Sequence, residues 1–276
     1  MRIISWNCNM AYATKQKDIL ALHPDVVLLQ ECSERHIQES GAPFAHWVGK
    51  NPHKGLGVLG FGHHTYTLEP AYTPAYPWFL PFRVEDEHLN VLGVWAHVKK
   101  GQERYVRISH QAVDYYRAFL EEGMSLAIGD FNSNTIWDTA HARYSHSALV
   151  GKLEQVQMRS VYHAQTQEPQ GRETVSTFYL YRHPDKGYHL DYAFVSESLL
   201  EKTVMTIPDP GWWLQRSDHL PLLLDIQLGL SELGRATDAE YEPHVEAWER
   251  LGGQPGEVAA DVSAGSKTGE QAGETA

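Results

Sequence analysis

In the stretch Ala127-Ile128-Gly129-Asp130-Phe131-Asn132-Ser133-Asn134, an apolar run ends in polar side chains. Residues 125–128 predict a buried strand. Because strand side chains alternate in direction, Asp130 and Asn132 should point one way while Phe131 points back into the core. A carboxylate beside an amide suits a hydrated cation and a phosphate, but Asp, Asn and Ser also favour turns and caps. Taken alone, the stretch leaves both interpretations open.

The composition indicates a soluble globular protein with a sizeable core. The chain has 276 residues, of which 42% are hydrophobic and 11% aromatic. Its net charge is −12, and residues 230–276 hold ten acidic and three basic residues, which leaves −5 for residues 1–229. This is not the strongly basic surface of a protein that binds nucleic acid through many phosphate contacts. It suits an enzyme that brings divalent cations to a phosphate ester, and local basic clusters still permit a nuclease.

The two cysteines, Cys8 and Cys32, form neither a disulfide framework nor the spacing of a zinc site. The N-terminus has no long apolar core of a signal peptide, and no run approaches the length of a membrane span. We therefore expect a cytoplasmic protein without a membrane partner.

The residue patterns predict strands and helices with a strand-rich middle, in one domain over residues 1–228. Thr14 is the expected N-cap of a first helix, Ser33 of a second, and two further helices are predicted over 107–120 and 147–158. Residues 239–251 have the pattern of an amphipathic helix, so we expect 229–252 to be a docking segment, either on the domain itself or on a partner. Residues 253–276 contain little to bury, and we expect an acidic disordered tail.

Several predicted buried strands end in a polar side chain. These side chains belong to Asn7, Glu31, Asp130 with Asn132, Asp191, and Asp218 with His219. In layered α/β folds, sites form where strand ends and loops converge. Hard oxygen ligands select Mg²⁺ or Mn²⁺ over zinc, and such an ion polarises a phosphoryl oxygen and lowers the pKa of a bound water.

Five blocks of the sequence, in order, resemble the signature of the endonuclease/exonuclease/phosphatase superfamily. They are Ile4-Ser5-Trp6-Asn7, Leu28-Leu29-Gln30-Glu31, Gly129-Asp130-Phe131-Asn132, Leu190-Asp191-Tyr192 and Ser217-Asp218-His219. The resemblance covers nearly all of residues 1–228. It implies a DNase I-like four-layer α/β sandwich, in which two mixed β-sheets pack face to face and helices flank them.

The resemblance also implies roles for individual residues. Glu31 would be the main metal ligand, with Asn7 and Asp218 at the same site. Asn132 would hold a phosphate oxygen, and Asp130 would orient or deprotonate the attacking water.

Asp191 would hydrogen-bond His219, fix its tautomer and raise its pKa. Either Asp130 or His219 could be the base. Each residue also has a structural alternative, such as a cap, an ion pair with an arginine or a buried structural histidine.

Four further positions have weaker assignments. His97 lies where some DNase-type members carry a second catalytic histidine, but it could equally be a surface histidine. Asn134 could contact substrate. Tyr105 and His110 are alternatives for a substrate-binding position at the start of the following helix. Asn9 replaces an aspartate found in some members, which leaves the number of metals open.

The predicted function is Mg²⁺- or Mn²⁺-dependent phosphodiester hydrolysis, with DNA as the first choice of substrate. The alternative is a phosphatase or phosphodiesterase for a small-molecule, inositol or lipid phosphate. A third hypothesis is a binding module without catalytic activity.

Overall fold

A computed structural model describes residues 1–98, 105–140 and 142–228 of the chain. The predicted docking segment 229–252, with its partner contact through 239–251, and the predicted tail 253–276 lie outside these residues. Over the described ranges, no helix combines the length and the apolarity needed to cross a membrane.

The first sheet has six strands and is mixed. It contains β1 (Arg2–Asn7), β2 (Val26–Cys32), β3 (Phe44–Asn51), β4 (Lys54–Gly60), β13 (Thr203–Thr206) and β14 (Leu222–Ile226). Their order is β13-β14-β1-β2-β4-β3. Only the central pair β1 and β2 is parallel, with Asn7 opposite Gln30. Both strands are apolar on both faces, as buried parallel strands require.

The second sheet also has six strands. It contains β5 (Tyr66–Leu68), β6 (Phe79–Val84), β7 (Leu89–Trp95), β8 (Met124–Asp130), β9 (Met158–Ser160) and β12 (Asp191–Ser196). Their order is β5-β6-β7-β8-β12-β9, and only β7 and β8 are parallel. A separate hairpin pairs β10 (Phe178–Tyr179) with β11 (Gly187–Tyr188).

Eight α-helices lie among the described residues, most of them short. They are α1 (Gln16–Leu20), α2 (Glu34–Gln38), α3 (Tyr105–Tyr115), α4 (Arg117–Glu121), α5 (His146–Gln155), α6 (Val161–Thr166), α7 (Glu197–Leu200) and α8 (Pro210–Trp213). Short 3-10 helices span Tyr12–Thr14, Thr135–Trp137 and Leu180–Arg182. Ser33 caps α2 by accepting a hydrogen bond from the His36 amide at 3.4 Å.

The two sheets pack face to face and bury the main core between them. Leu28 and Val58 of the first sheet share one apolar cluster with Phe82 and Leu126 of the second. The sheets approach closely at Gly93, where a Cβ would lie 2.5 Å from the Leu28 Cδ2.

Helices cover both outer faces. One apolar cluster joins the outer face of the first sheet to Ile19 of α1 and Ile37 of α2. A second joins the outer face of the other sheet to Val113 of α3 and Leu149 of α5. The arrangement is the four-layer α/β sandwich that the resemblance implied.

The structure differs from the sequence-based elements in several places. The strands β3, β9 and β13 were not predicted, because β3 is a half-exposed edge strand and the other two are short. The helix predicted over 107–120 is divided at Tyr116 into α3 and α4. Thr14 does not cap α1, since it ends a 3-10 helix and its hydroxyl donates to the Ala11 carbonyl.

Candidate active site

The polar strand ends converge where the two sheets meet. Asn7 ends β1, and Glu31 lies near the end of the parallel neighbour β2. On the other sheet, Asp130 at the end of β8 is the register partner of Asp191 at the start of β12. The segment before β14 joins the two sets, since the Ser217 hydroxyl donates to the Asn7 carbonyl at 2.6 Å.

Asp191 and His219 form a buried pair. The His219 Nδ1 lies 2.8 Å from the Asp191 Oδ2, and both residues are at most 5% exposed. The backbone around them is fixed, because the Thr177 hydroxyl accepts the Asp191 amide at 2.9 Å and the Trp6 indole donates to the His219 carbonyl at 3.0 Å. With Nδ1 directed at Asp191, the Nε2 faces the rest of the site.

Asp130 is fully buried and heavily hydrogen-bonded. Its Oδ2 accepts from the Asn7 Nδ2 at 3.0 Å and from the Asn132 Nδ2 at 2.8 Å, and its Oδ1 accepts from the Asn132 amide at 2.9 Å. The His219 Nε2 lies 3.9 Å from the same Oδ2. Burial raises the pKa of Asp130, a shift that the neighbouring His219 partly offsets.

Opposing effects act on His219. Burial alone would lower its pKa, but the charges of Asp191 and Asp130 outweigh burial and raise the pKa above its usual value. The imidazole therefore carries a proton more readily than a free histidine, and its positive charge lies between two carboxylates.

The end of β8 and the turn after it contain two residues with positive φ. Gly129 has a φ of 146°, and a Cβ there would lie 1.9 Å from the Val94 carbonyl oxygen, so only glycine fits. Asn132 has a φ of 48°. It comes to lie beside Asp130 because the chain turns back, and strand alternation is not the cause, since β8 ends at Asp130.

Glu31 lies in a bulge of β2 with a φ of 61°. Its Oε2 pairs with the Lys54 Nζ at 2.9 Å, and its side chain is 19% exposed. The Lys54 ammonium also lies 5.6 Å from the Trp95 ring centroid. His97 stacks on the same ring at 4.5 Å, and the burial of His97 together with the charge of Lys54 lowers its pKa.

The loop after Asn7 has an unusual backbone. Asn9, Met10 and Ala11 have φ values of 46°, 64° and 50°. The buried Lys15 ammonium closes this loop by donating to the carbonyls of Cys8, Met10 and Asn9 at 2.6, 3.0 and 3.4 Å. The Asn9 amide in turn donates to the Asn7 Oδ1 at 3.1 Å, which leaves the Asn7 Nδ2 directed at Asp130.

The predicted metal ligands are compatible with a divalent cation. Asn7 ends β1 and Glu31 lies one residue before the end of the adjacent β2. The Ser217 hydroxyl links the segment that carries Asp218 to Asn7. Their donor atoms are all hard oxygens. In this structure the Lys54 ammonium provides the positive charge beside Glu31. A second group that could hold an ion consists of Asp130, Asp191 and His219, whose ligand atoms lie within 4.8 Å of one another.

Two predicted substrate-binding residues are buried away from this group. His110 on α3 is 4% exposed, and its Nε2 lies 3.0 Å from the Ser145 carbonyl oxygen next to α5. Asn134 is 2% exposed; its Nδ2 donates to the Tyr192 hydroxyl and the His189 carbonyl, both at 3.0 Å. Tyr105 is 41% exposed at the start of α3.

Three residues that contribute to the site were not singled out from the sequence. Lys54 only precedes a glycine-bearing strand, and Lys15 is one of several lysines near the first helix. Neither position carries a local signal. Thr177 carries none either, because its contact with Asp191 joins residues that lie 14 positions apart in the sequence.

Solved structures with a similar fold include enzymes that act on DNA. A 3'-5' exonuclease from Neisseria meningitidis has a TM-score of 0.63 at 17% identity, covering 82% of this chain and 100% of its own. A neisserial 3' phosphatase bound to a product DNA hairpin has the same TM-score and identity, covering 82% and 99%. An AP endonuclease from Archaeoglobus fulgidus has a TM-score of 0.60 at 16% identity, covering 83% and 100%.

No curated protein sequence matches the chain. A family model described as the Endonuclease/Exonuclease/phosphatase family matches residues 4–219, the range that holds every predicted catalytic and metal-binding residue. These matches confirm the predicted fold and the resemblance. They also confirm the prediction that the protein is an enzyme that hydrolyses phosphoester bonds. Dependence on divalent metal is typical of this superfamily. The chain belongs to the Endonuclease/Exonuclease/phosphatase family.

Proposed function

We propose that the protein is a Mg²⁺- or Mn²⁺-dependent nuclease that hydrolyses phosphodiester bonds of DNA. The observation that carries this proposal is the buried array in which His219 lies between Asp191 and Asp130. Asn7 and Asn132 complete it through amide hydrogen bonds to Asp130. On the cysteine content of the sequence alone, we propose a cytoplasmic location.

We propose separate roles for the acid and the imidazole. Asp130 accepts a proton from the attacking water, because its buried carboxylate is basic for an aspartate. His219, held through Nδ1 by Asp191, directs its Nε2 proton at a phosphoryl oxygen and balances the negative charge that develops there. Asn132 holds a second phosphate oxygen by reorienting its amide from Asp130.

Glu31, Asn7 and Asp218 would hold the divalent cation. Such an ion supplies Lewis acidity at the phosphoryl oxygen and stabilises the departing oxyanion. When the ion binds, Lys54 must release or share the Glu31 carboxylate, because the ammonium and the metal ion would be two cations at one carboxylate. His97, on the Trp95 ring beside Lys54, is proposed to serve the leaving-group side.

The choice of DNA rests on the structurally similar proteins, which are a 3'-5' exonuclease, a 3' phosphatase bound to a product DNA hairpin, and an AP endonuclease. A second candidate is removal of a terminal phosphate, favoured by the neighbour described as a 3' phosphatase. Both reactions would use the same buried array.

A substrate panel tests the proposal. It contains supercoiled plasmid, abasic duplex, single-stranded DNA, RNA, a 3'-phosphorylated oligonucleotide, an aryl phosphodiester and inositol phosphates, each with Mg²⁺, Mn²⁺ or EDTA. We expect metal-dependent cleavage of DNA far faster than of the small esters, and its loss in His219→Gln and Asp130→Asn. The exposed His88 provides a control, since His88→Asn should retain full activity.

Faster hydrolysis of an inositol or other small phosphate would assign the protein to the alternative substrate class. Absence of hydrolysis on every member of the panel would contradict the enzyme and leave a binding module.

A further inference from the structure

A second cluster of ligand-type side chains lies at the opposite end of β7 from the catalytic residues. It consists of His64, in the loop before β5, with Asp86 and Glu87 in the turn between β6 and β7. One ligand atom from each residue lies within 4.8 Å of the other two. The turn leads into the start of β7, whereas the last residue of that strand, Trp95, is the register partner of Asp130. The seven-residue strand spans about 20 Å, so the cluster is separate from the catalytic site.

Two of the three side chains already lie side by side. The His64 Nδ1 lies 2.7 Å from the Asp86 Oδ2, and the His64 side chain is 3% exposed. The other Asp86 oxygen, Oδ1, accepts the Thr65 amide at 2.8 Å. The Tyr66 ring lies 6.2 Å from the imidazole at an interplanar angle of 70°. The loop before β5 and the β6–β7 turn thus present an imidazole nitrogen and a carboxylate oxygen to the same point.

Glu87 is the residue that points to a cation. It is only 4% exposed, and over the described ranges no hydrogen bond or ion pair reaches its carboxylate. Burial raises the pKa of Glu87, a shift that His64 offsets in part. The neighbouring charges do not balance the carboxylate, since Asp86 pairs with the imidazole and Asp25 opposes the N-terminal ammonium. Buried carboxylates are normally paired or coordinate a metal, so this group lacks a positive charge.

The ligand types indicate which cation fits. Zinc sites with three protein ligands leave a fourth position for water, and imidazole nitrogens and carboxylate oxygens are among their ligands. A tetrahedral zinc ion with ligand distances of about 2.1 Å separates its ligand atoms by about 3.4 Å. The His64 and Asp86 atoms are closer than this and the Glu87 oxygen lies within 4.8 Å, so small side-chain rotations suffice. The imidazole distinguishes this cluster from the oxygen ligands at the catalytic site, which favour Mg²⁺.

We propose that His64, Asp86 and Glu87 form a Zn²⁺ site that stabilises the fold and is separate from the catalytic ion. The bound ion would fasten the loop before β5 to the β6–β7 turn. Because β5 has only three residues and lies at the edge of its sheet, this part of the fold gains most from an added link. The inference goes beyond the proposed hydrolysis and does not depend on it.

Zinc binding tests the proposal directly. Equilibrium dialysis with Zn²⁺ is performed in the Glu31→Gln background with excess Mg²⁺, so that the catalytic ligands contribute little. Glu87→Gln should weaken Zn²⁺ binding at least about ten-fold, because it removes a charged ligand. His64→Asn should do the same, because it removes the imidazole. Glu201→Gln, at an exposed position after α7, is the matched control and should bind Zn²⁺ like its parent.

Thermal unfolding provides a second readout that a merely structural role would not reproduce. Zn²⁺ should raise the Tm of the parent more than that of Glu87→Gln or His64→Asn. In EDTA, the Tm of Glu87→Gln should equal or exceed that of the parent, because a buried and unpaired charge has been removed. The effect of this one substitution on Tm should therefore change sign when Zn²⁺ is added.

Equal Zn²⁺ affinities for the parent, Glu87→Gln and His64→Asn would overturn the proposal. An equal Zn²⁺-induced rise in Tm for all three would do the same.

The substrate panel reports separately on catalysis. With Glu31 intact and Mg²⁺ present, Glu87→Gln should hydrolyse the panel like the parent. A protein that binds Zn²⁺ through this cluster but hydrolyses no phosphoester retains the zinc site and lacks the proposed function.

Discussion

Asp130 and Asp191 stand opposite each other in the register of β8 and β12, and His219 contacts them unequally. The His219 Nδ1 lies 2.8 Å from Asp191, whereas its Nε2 lies 3.9 Å from Asp130. In the proposed mechanism, Asp191 therefore orients the ring, and Asp130 faces the place where substrate would lie. The proposed roles of Asp191 and Asp130 thus differ because the two carboxylates lie at different distances from the His219 ring.

Replacing Asp191 by Asn should lower kcat by about 10²-fold or more, because the ring loses the negative charge that fixes its tautomer. KM should change little, since Asp191 does not face the substrate. Steady-state kinetics on a DNA substrate checks this expectation.

Asp185, exposed on the β10–β11 hairpin, provides the control, and Asp185→Asn should leave kcat unchanged. A kcat for Asp191→Asn within three-fold of the parent would rule out its role in orienting His219.

Removing the Lys54 charge should strengthen metal binding. The Lys54 ammonium lies 2.9 Å from the Glu31 carboxylate, where it opposes an incoming cation. A unit charge about 4 Å away in a well-solvated site contributes about 1 kcal/mol, so Lys54→Gln should tighten Mn²⁺ binding about five-fold. Isothermal titration calorimetry without substrate measures the change.

Glu31→Gln should weaken the same binding, because the carboxylate itself is lost. Unchanged or weaker Mn²⁺ binding by Lys54→Gln would show that the lysine does not compete with the ion.

Lys15→Met should reduce both stability and turnover. The ammonium satisfies three carbonyls of a left-handed loop, of which that of Cys8 is buried and the other two are partly buried, and a hydrogen bond to a charged group contributes about 1.5–3 kcal/mol. We therefore expect a loss of at least about 2 kcal/mol in the free energy of unfolding. Asn7 should also lose its fixed orientation, since the Asn9 amide that holds its Oδ1 belongs to this loop.

Denaturant unfolding and kinetics on the same samples separate the two effects. Lys202→Met, at an exposed position, serves as the control. Full activity in folded Lys15→Met would contradict the role of the loop in positioning Asn7.

Glu173 should make stability depend on pH in the acid range. Burial would raise its pKa, but hydrogen bonds from His163, the Gly171 amide and Asn134 outweigh burial and lower it to about 2. A lowered carboxyl pKa stabilises the fold above the unfolded value near 4.5, and this contribution is lost as the pH falls towards 2.

Glu173→Gln should therefore cost about 2 kcal/mol at pH 7, and the difference from the parent should shrink below pH 4.5. The cost at pH 7 arises because both Glu173 carboxylate oxygens accept hydrogen bonds, whereas a glutamine side chain has only one acceptor oxygen. Urea unfolding at pH 7, 5 and 3.5 measures this. A constant difference across that range would contradict the prediction.

The sequence predicted the strand ends well because a buried run that stops at a polar residue is a local signal. The apolar residues of β2 and the acid that follows them are adjacent in sequence, and so are Ile128 and Asp130. The edge strand β3 carried no such signal, because its alternating pattern is weak and its burial is incomplete.

Partners distant in sequence could not be predicted from pattern. The Lys54–Glu31 pair depends on how the β3–β4 hairpin folds over the end of β2, and the Lys15 contacts depend on three left-handed residues that no local rule requires. Asn134 is a residue that the sequence pattern did single out, but for a different contact. Its position beside Asn132 suggested substrate contact, whereas the fold directs its amide to Tyr192 and His189.

Gly93 packs against Leu28 where the two sheets meet, and the Asp191–His219 hydrogen bond links the same two sheets. Asp191 belongs to one sheet, and His219 lies three residues before β14 of the other. The Asp191–His219 distance therefore depends on the spacing between the two sheets. A side chain added at Gly93 would first displace the terminal methyl of Leu28. Any widening of the gap between the sheets that remained would lengthen the Asp191–His219 contact.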